Sequence, residues 1–400
     1  MRIKTARESS TKPPSMKEKT ALGQSRLRPV PFSPAEGEGG RRPDEGAHAS
    51  RIPFGKNPNS VDSLGQAGYR LRLRTMFTVT RLPLCLVAGI LLAGLIPVSA
   101  AKNEAAADPS KADADYAFQG EYAGVLAGQF DVGAQVIALG GGKFRLVLYP
   151  GGLPGAGYDG AAEKRQYDGA RDGDTVTFTG GTTGKSITGG KLTFSLDGQE
   201  SVIDRTVRKS PTLAAKPPEG ALVLFDGKSA ENFKPGRMTE SGLLMQGANS
   251  IKKFQGHKLH IEFRLPYEPT KRGQARGNSG CYMQARYELQ MLDSFGLAGK
   301  HNECGGIYTI ADPNVNMCLP PLQWQTYDID FTAAKYDKDG KKTANARATV
   351  RHNGVLIHDN VELPKRTTAS PLAEGPEPGF LHLQDHGNQV RYRNIWVIEK

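Results

Sequence analysis

The chain has 400 residues, 38% hydrophobic and 23% charged, with 48 Gly, 26 Pro and four Cys. That composition excludes a wholly disordered chain and a small disulfide-held scaffold, and it leaves room for more than one buried core. The net charge of +11 would suit a nucleic-acid partner only if it lay on the folded part. It does not: residues 1–75 hold 15 Lys+Arg against 7 Asp+Glu, whereas 101–400 hold 36 against 34.

Residues 1–75 are rich in Ser, Pro, Gly and Arg without periodic apolar runs, so disorder or a mis-called upstream extension is expected there. Met76–Arg81 is a short basic lead into Leu82–Val98, and Val98-Ser-Ala100 ends it as a cleavage site does. This predicts a signal peptide over 76–100; seventeen apolar residues broken by Pro83 and Pro97 are marginal for a membrane anchor. The mature protein is therefore expected to be exported, periplasmic or at the cell surface, with no stable membrane span after cleavage. In an oxidising compartment Cys304 and Cys318 could pair, leaving Cys281 as a buried thiol.

Residues 101–115 read as a linker. Residues 116–209 alternate short apolar runs such as Ala134–Leu139 and Lys143–Tyr149 with Gly turns, which predicts a small Gly-rich all-β domain of hairpins. Residues 210–220 form a Pro-rich second linker. From 221 to 400 strands dominate: Leu259, Ile261, Phe263 and Leu265 alternate with His260, Glu262 and Arg264, and Asn353-Gly354 marks a type I′ hairpin. An all-β sandwich or jelly roll follows.

Two stretches concentrate reactive side chains. In Gly277–Ser294, a single strand would set Gln284, Arg286, Glu288 and Gln290 on one face, with Asp293 restored to that side by a bulge. In Leu383–Trp396, Asp385-His386 ends a strand before a Gly-Asn turn, so His386 could face a mouth and move protons. Arg391 and Arg393 share a side and could clamp an oxyanion or neighbouring acids. Trp324 could stack on a sugar or lie in the core.

The motifs Leu224–Lys228, Gly277–Gly280, Arg286–Ser294, Cys304–Tyr308, Trp324–Ile329, Leu383–His386 and Arg393–Trp396, taken in order, resemble the 3-keto-disaccharide hydrolase family. The resemblance spans 221–400 and implies a concanavalin A-like jelly-roll sandwich that cleaves glycosides oxidised at C3 of the sugar. Glu288-x-Gln290-x-x-Asp293 is also similar to the acidic strand of laminarinase-type glucanases, with the middle acid replaced by Gln. A 3-keto group acidifies the C2 proton, so elimination followed by hydration would give net hydrolysis. On this reading Glu288 and His386 transfer protons, Asp293 orients a partner or helps hold a divalent cation, and Arg391 steadies the oxyanion. Glu262, Asn278, Gln284, Arg286, Gln290, Tyr308 and Gln384 bind the sugar. The partner expected is a carbohydrate, not nucleic acid. The rival reading is a carbohydrate-binding module without catalysis.

Overall fold

In the computed structural model of the protein, which describes residues 106–400, every long element is a strand. The predicted extension, the signal peptide and the first residues of the first linker lie outside the described residues. The rest falls in one compact unit with two cores. No helix among the described residues is long and apolar enough to cross a membrane.

The Gly-rich segment closes on itself. Eight antiparallel strands form a barrel in which the first, Gly120–Leu126, pairs with the last, Gln199–Thr206. Closure removes the exposed edges that a set of separate hairpins would leave. Its inward side chains, among them Tyr122, Val136, Phe144, Leu146, Val176 and Ile203, form one core, which Tyr267 and Leu322 join from beyond the barrel. Residues 106–115 are not a free linker. Ala106 bridges Tyr267, and buried Asp115 takes Arg171 at 2.8 Å.

The remainder is two antiparallel sheets that share a second core. The larger runs Leu222–Phe225, Arg391–Glu399, His257–Arg264, Trp324–Thr332, Ala346–His352 and Val355–Leu363. The smaller runs Phe233–Lys234, Ala248–Phe254, Gly379–Leu383, Ser279–Met283 and Tyr287–Met291. Leu259, Ile261 and Phe263 of one sheet and Cys281, Met283, Leu289 and Met291 of the other meet between them. The Asn353-Gly354 turn forms with φ of 50° and 81°, as a type I′ hairpin requires.

The polar face of His257–Arg264 is covered rather than solvated. The 210–220 segment straps across it: Thr212 donates to Asp328, and the Ala214 amide donates to Glu262 at 2.5 Å. The three cysteines are free and buried. Cys304 lies 3.2 Å from the Tyr327 hydroxyl, and Cys318 donates to the Leu292 and Leu319 carbonyls, so no disulfide joins them.

Candidate functional site

The strand expected over Gln284–Gln290 is a hairpin. Gln284 and Ala285 both have positive φ, 52° and 54°, and turn the chain between Ser279–Met283 and Tyr287–Met291. Gln284 and Arg286 therefore leave the face of Glu288. Gln284 donates to Phe254 O, and Arg286 donates to the carbonyls of Ala373 and Glu377, fastening the 364–378 loop. Both are structural, not sugar-facing.

Pairing across the smaller sheet builds a different constellation. Asn249 is opposite His382, His382 opposite Tyr282, and Tyr282 opposite Glu288. These four share the face turned away from the core, because Cys281, Leu289, Leu381 and Leu383 take the other. The next row sets Gln384 beside Gly280 and Gly280 beside Gln290. Segment 305–308 adds itself along the free edge, its Tyr308 amide donating to Glu288 O at 3.1 Å. Thr367 Oγ1 accepts from the Glu288 amide on the same strand.

Glu288 is 3% exposed, and burial pushes its carboxyl up to about 7, the Tyr282 hydroxyl opposing part of that shift. With its amide oriented to satisfy both neighbours, Gln290 donates to Glu288 Oε1 at 3.0 Å and to Ser279 O at 2.8 Å. The Tyr282 hydroxyl accepts from Gln384 Nε2 at 3.0 Å and stays protonated, burial and then Glu288 raising its pKa. The two nitrogens of His382 differ. Nδ1 is 2.6 Å from Asn249 Oδ1; with that oxygen as acceptor, Nδ1 carries the proton and the Nε2 lone pair is left free. Burial depresses His382 to about 4, so it is neutral at physiological pH. A carboxyl raised and an imidazole lowered on one row, one strand apart from a shared tyrosine, form an acid–base set.

Gly280 makes the room. A Cβ there would lie 2.3 Å from Glu288 Oε1 and 2.8 Å from the Tyr282 ring. Gly280→Ala should cut turnover roughly 10²-fold by displacing the carboxylate. Steady-state kinetics beside an unchanged circular-dichroism spectrum would check this.

Several sequence expectations are corrected. His386 is exposed in the bend after the strand; the histidine on the row is His382, two pairs of residues earlier on that strand's alternation. Asp293 does not rejoin the Glu288 face through a bulge, since the strand ends at Met291. Asp293 meets Arg276 at 2.6 Å, and Arg276 reaches the barrel through Ala138 O. Both are buried, so Asp293→Asn should lower unfolding free energy by about 3–5 kcal/mol in denaturant titrations. Glu262 is an internal anion. Burial alone would raise it, but bonds from His260, Asn394, Arg393 and the Ala214 amide hold it near 2. Arg391 is placed against Gln246 and Gln389, near the Arg237–Asp385 pair. Trp324 carries the Arg393 guanidinium 4.0 Å over its ring, not a core contact.

Gln290, Gln384 and Tyr308 do stand beside Glu288. Asn278 is one neighbour further out: it donates to Gln274, which also meets Gln290, and its buried Oδ1 has no protein partner. His382, Tyr282 and Asn249 were missed by sequence reasoning. Their signal was the alternation Phe380, His382, Gln384 and the pair Gly280, Tyr282, which gains meaning only once the strands are paired. Glu288 is the sole carboxylate of the row, and among the described residues no three His, Cys, Asp or Glu side chains converge as a metal site. That donor set does not fit a divalent cation, and no step below uses one.

Residues 220–398 match the family model described as 3-keto-alpha-glucoside-1,2-lyase-like domain. Among solved structures, a candidate glycosyl hydrolase of Parabacteroides distasonis is 30% identical, over 46% of this chain and 85% of that one, with a TM-score of 0.42. Another candidate glycosyl hydrolase of the same organism is 19% identical over 48% and 98% of the two chains, with a TM-score of 0.34. No curated protein matches the chain. Through residues 220–398 the protein belongs to the 3-keto-alpha-glucoside-1,2-lyase-like family.

Proposed function

We propose that the protein is an exported enzyme that cleaves 3-keto-glycosides, 3-keto-disaccharides among them, by elimination and rehydration. The observation that carries this is the row of buried Glu288, buried Tyr282 and half-buried His382, in which burial pushes one carboxyl up to about 7 beside a neutral imidazole. Ionised Glu288 takes the C2 proton, and the electron pair moves onto the C3 oxygen, to which the Tyr282 hydroxyl donates. The pair then returns, the C1–O bond breaks, and the proton on Glu288 passes to the departing oxygen. Water adds at C1 of the resulting enone and gives its proton to His382 Nε2, and the imidazolium passes a proton on to C2, so every group ends as it began. The balance is hydrolysis, and release before hydration would make the same site a lyase.

Gln290 holds Glu288 and Gln384 holds the Tyr282 hydroxyl, so they act as positioning residues, as Asn249 does for His382. Tyr308 stands at the edge of the row for a sugar hydroxyl. The test is incubation of the purified protein with 3-keto-glucosides and their unoxidised parents, with and without chelator. Cleavage of the keto forms alone is expected. Equal cleavage of the parents would contradict the reading, and binding of either without turnover would favour a carbohydrate-binding module.

A further inference from the structure

Where the barrel meets the sandwich lies a cavity of about 390 Å³ that the chemistry above does not use. That volume lies within the range of small-molecule sites. The barrel and the sandwich approach closely at Gly296, where a Cβ would come within 2.6 Å of Ile137. One wall is apolar, with Leu139, Phe295 and Leu297, the last of these left 42% exposed.

The other wall is cationic, and its charges are not equally answered. Arg276 is neutralised by Asp293, and Arg145 by Asp168 at 3.0 Å. Lys164 and Arg272 have no carboxylate within 4.0 Å among the described residues. Lys164 Nζ instead donates to Leu297 O at 3.2 Å, and Arg272 donates to the Leu139 carbonyl at 3.0 Å. Glu303, which also lines the cavity, spends Oε2 on the amides of Gly299 and Lys300. Burial lowers the pKa of Lys164 and, with Arg276 and Arg145 adding repulsion, of Arg272. Two cations from different domains thus face one half-apolar space against the single Glu303 carboxylate, which acts on Lys164 without contact, so the space keeps a net positive charge.

We propose that this junction cavity binds an amphipathic organic anion, a flat or alicyclic apolar body bearing one carboxylate. Its anionic group lies between Lys164 and Arg272, and its body lies on Leu139, Phe295 and Leu297. Arg272 Nη1 is used on the Pro269 and Lys271 carbonyls, so Nε and the second Nη2 hydrogen are the donors left for a carboxylate, whereas Lys164 offers a point charge from the barrel side. A ligand so placed touches both domains, so it stabilises their junction as well as filling it.

The test uses 2-naphthoate as the probe and the neutral 2-naphthalenemethanol as its isostere, titrated into the full chain by calorimetry. The expected result is saturable 1:1 binding of 2-naphthoate, at least tenfold weaker binding of the alcohol, and at least tenfold loss in both Lys164→Met and Arg272→Gln. Lys164 lies on the barrel surface, so K164M remains informative should R272Q fail to fold. Absence of saturable binding, equal affinity for the alcohol, or unchanged affinity in both variants would overturn the proposal. None of these outcomes depends on glycoside cleavage.

Discussion

Glu288→Gln should lower kcat on a 3-keto-glycoside roughly 10³-fold and, at the same time, make the protein more stable at alkaline pH. Both follow from one displaced titration. Folding raises the carboxyl from 4.5 to about 7, so the folded protein holds a proton that the unfolded chain releases between those values. Stability therefore falls as pH rises from about 4.5 to about 7, and the deficit persists above it. The amide mimics the protonated acid and avoids the loss, a gain of about 3 kcal/mol at pH 8 that vanishes below pH 4. The wild-type kcat/KM should climb with pH through about 7, since the base must be ionised. Denaturation and rate profiles over pH 4–9 check the two limbs separately. A variant that lost activity without gaining alkaline stability would show that Glu288 is not the buried, strained acid described.

The second large effect separates two histidines four residues apart. His382→Ala should cost about 10²-fold in kcat, because it removes the Nε2 acceptor and leaves Asn249 without its partner. His386→Ala, in the exposed bend, should change kcat/KM less than about twofold. His382→Gln, which can keep a bond to Asn249 but supplies no imidazole, should resemble His382→Ala in rate and the wild type in melting temperature. If His386→Ala proved the damaging substitution, the row would be the wrong site.

How far the sequence could lead depended on whether an element was encoded locally. The alternation of Leu259, Ile261 and Phe263 marks a core-facing strand because period two is a property of the strand itself. Asn353-Gly354 announces its hairpin because those residues tolerate positive φ. Gln284-Ala285 makes the same kind of turn without Gly or Asn, held in place by Gly379, where a Cβ would lie 2.1 Å from Gln284 O. That turn was illegible, so Gln284 and Arg286 were read onto the wrong face. Barrel closure was hidden for a related reason: Glu121 pairs with Thr206, far along the chain. The polar side of the His257–Arg264 strand suggested a binding face; the strap that satisfies Glu262 could not be read from alternation.

The site was half legible. Glu288, Gln290, Gln384 and Tyr308 stand together because the motifs containing them lie on adjacent strands or on the segment along the sheet edge. Their acid–base partner was assigned to the more prominent Asp-His dipeptide, where a turn put the side chain outward. Asp293 and Glu262 are buried, charged and near the motifs, yet each is spent on an arginine. Charge alone does not distinguish a catalytic acid from a structural one; unpaired burial does.

The most direct measurement follows the C2 hydrogen. A 3-keto-glucoside deuterated at C2 should be cleaved more slowly than the protium form at saturating concentration. In deuterated water, recovered sugar should carry solvent deuterium at C2, and Glu288→Gln should abolish that exchange. Cleavage with no isotope effect and no exchange at C2, at the wild-type rate, would contradict the elimination route and the role given to Glu288.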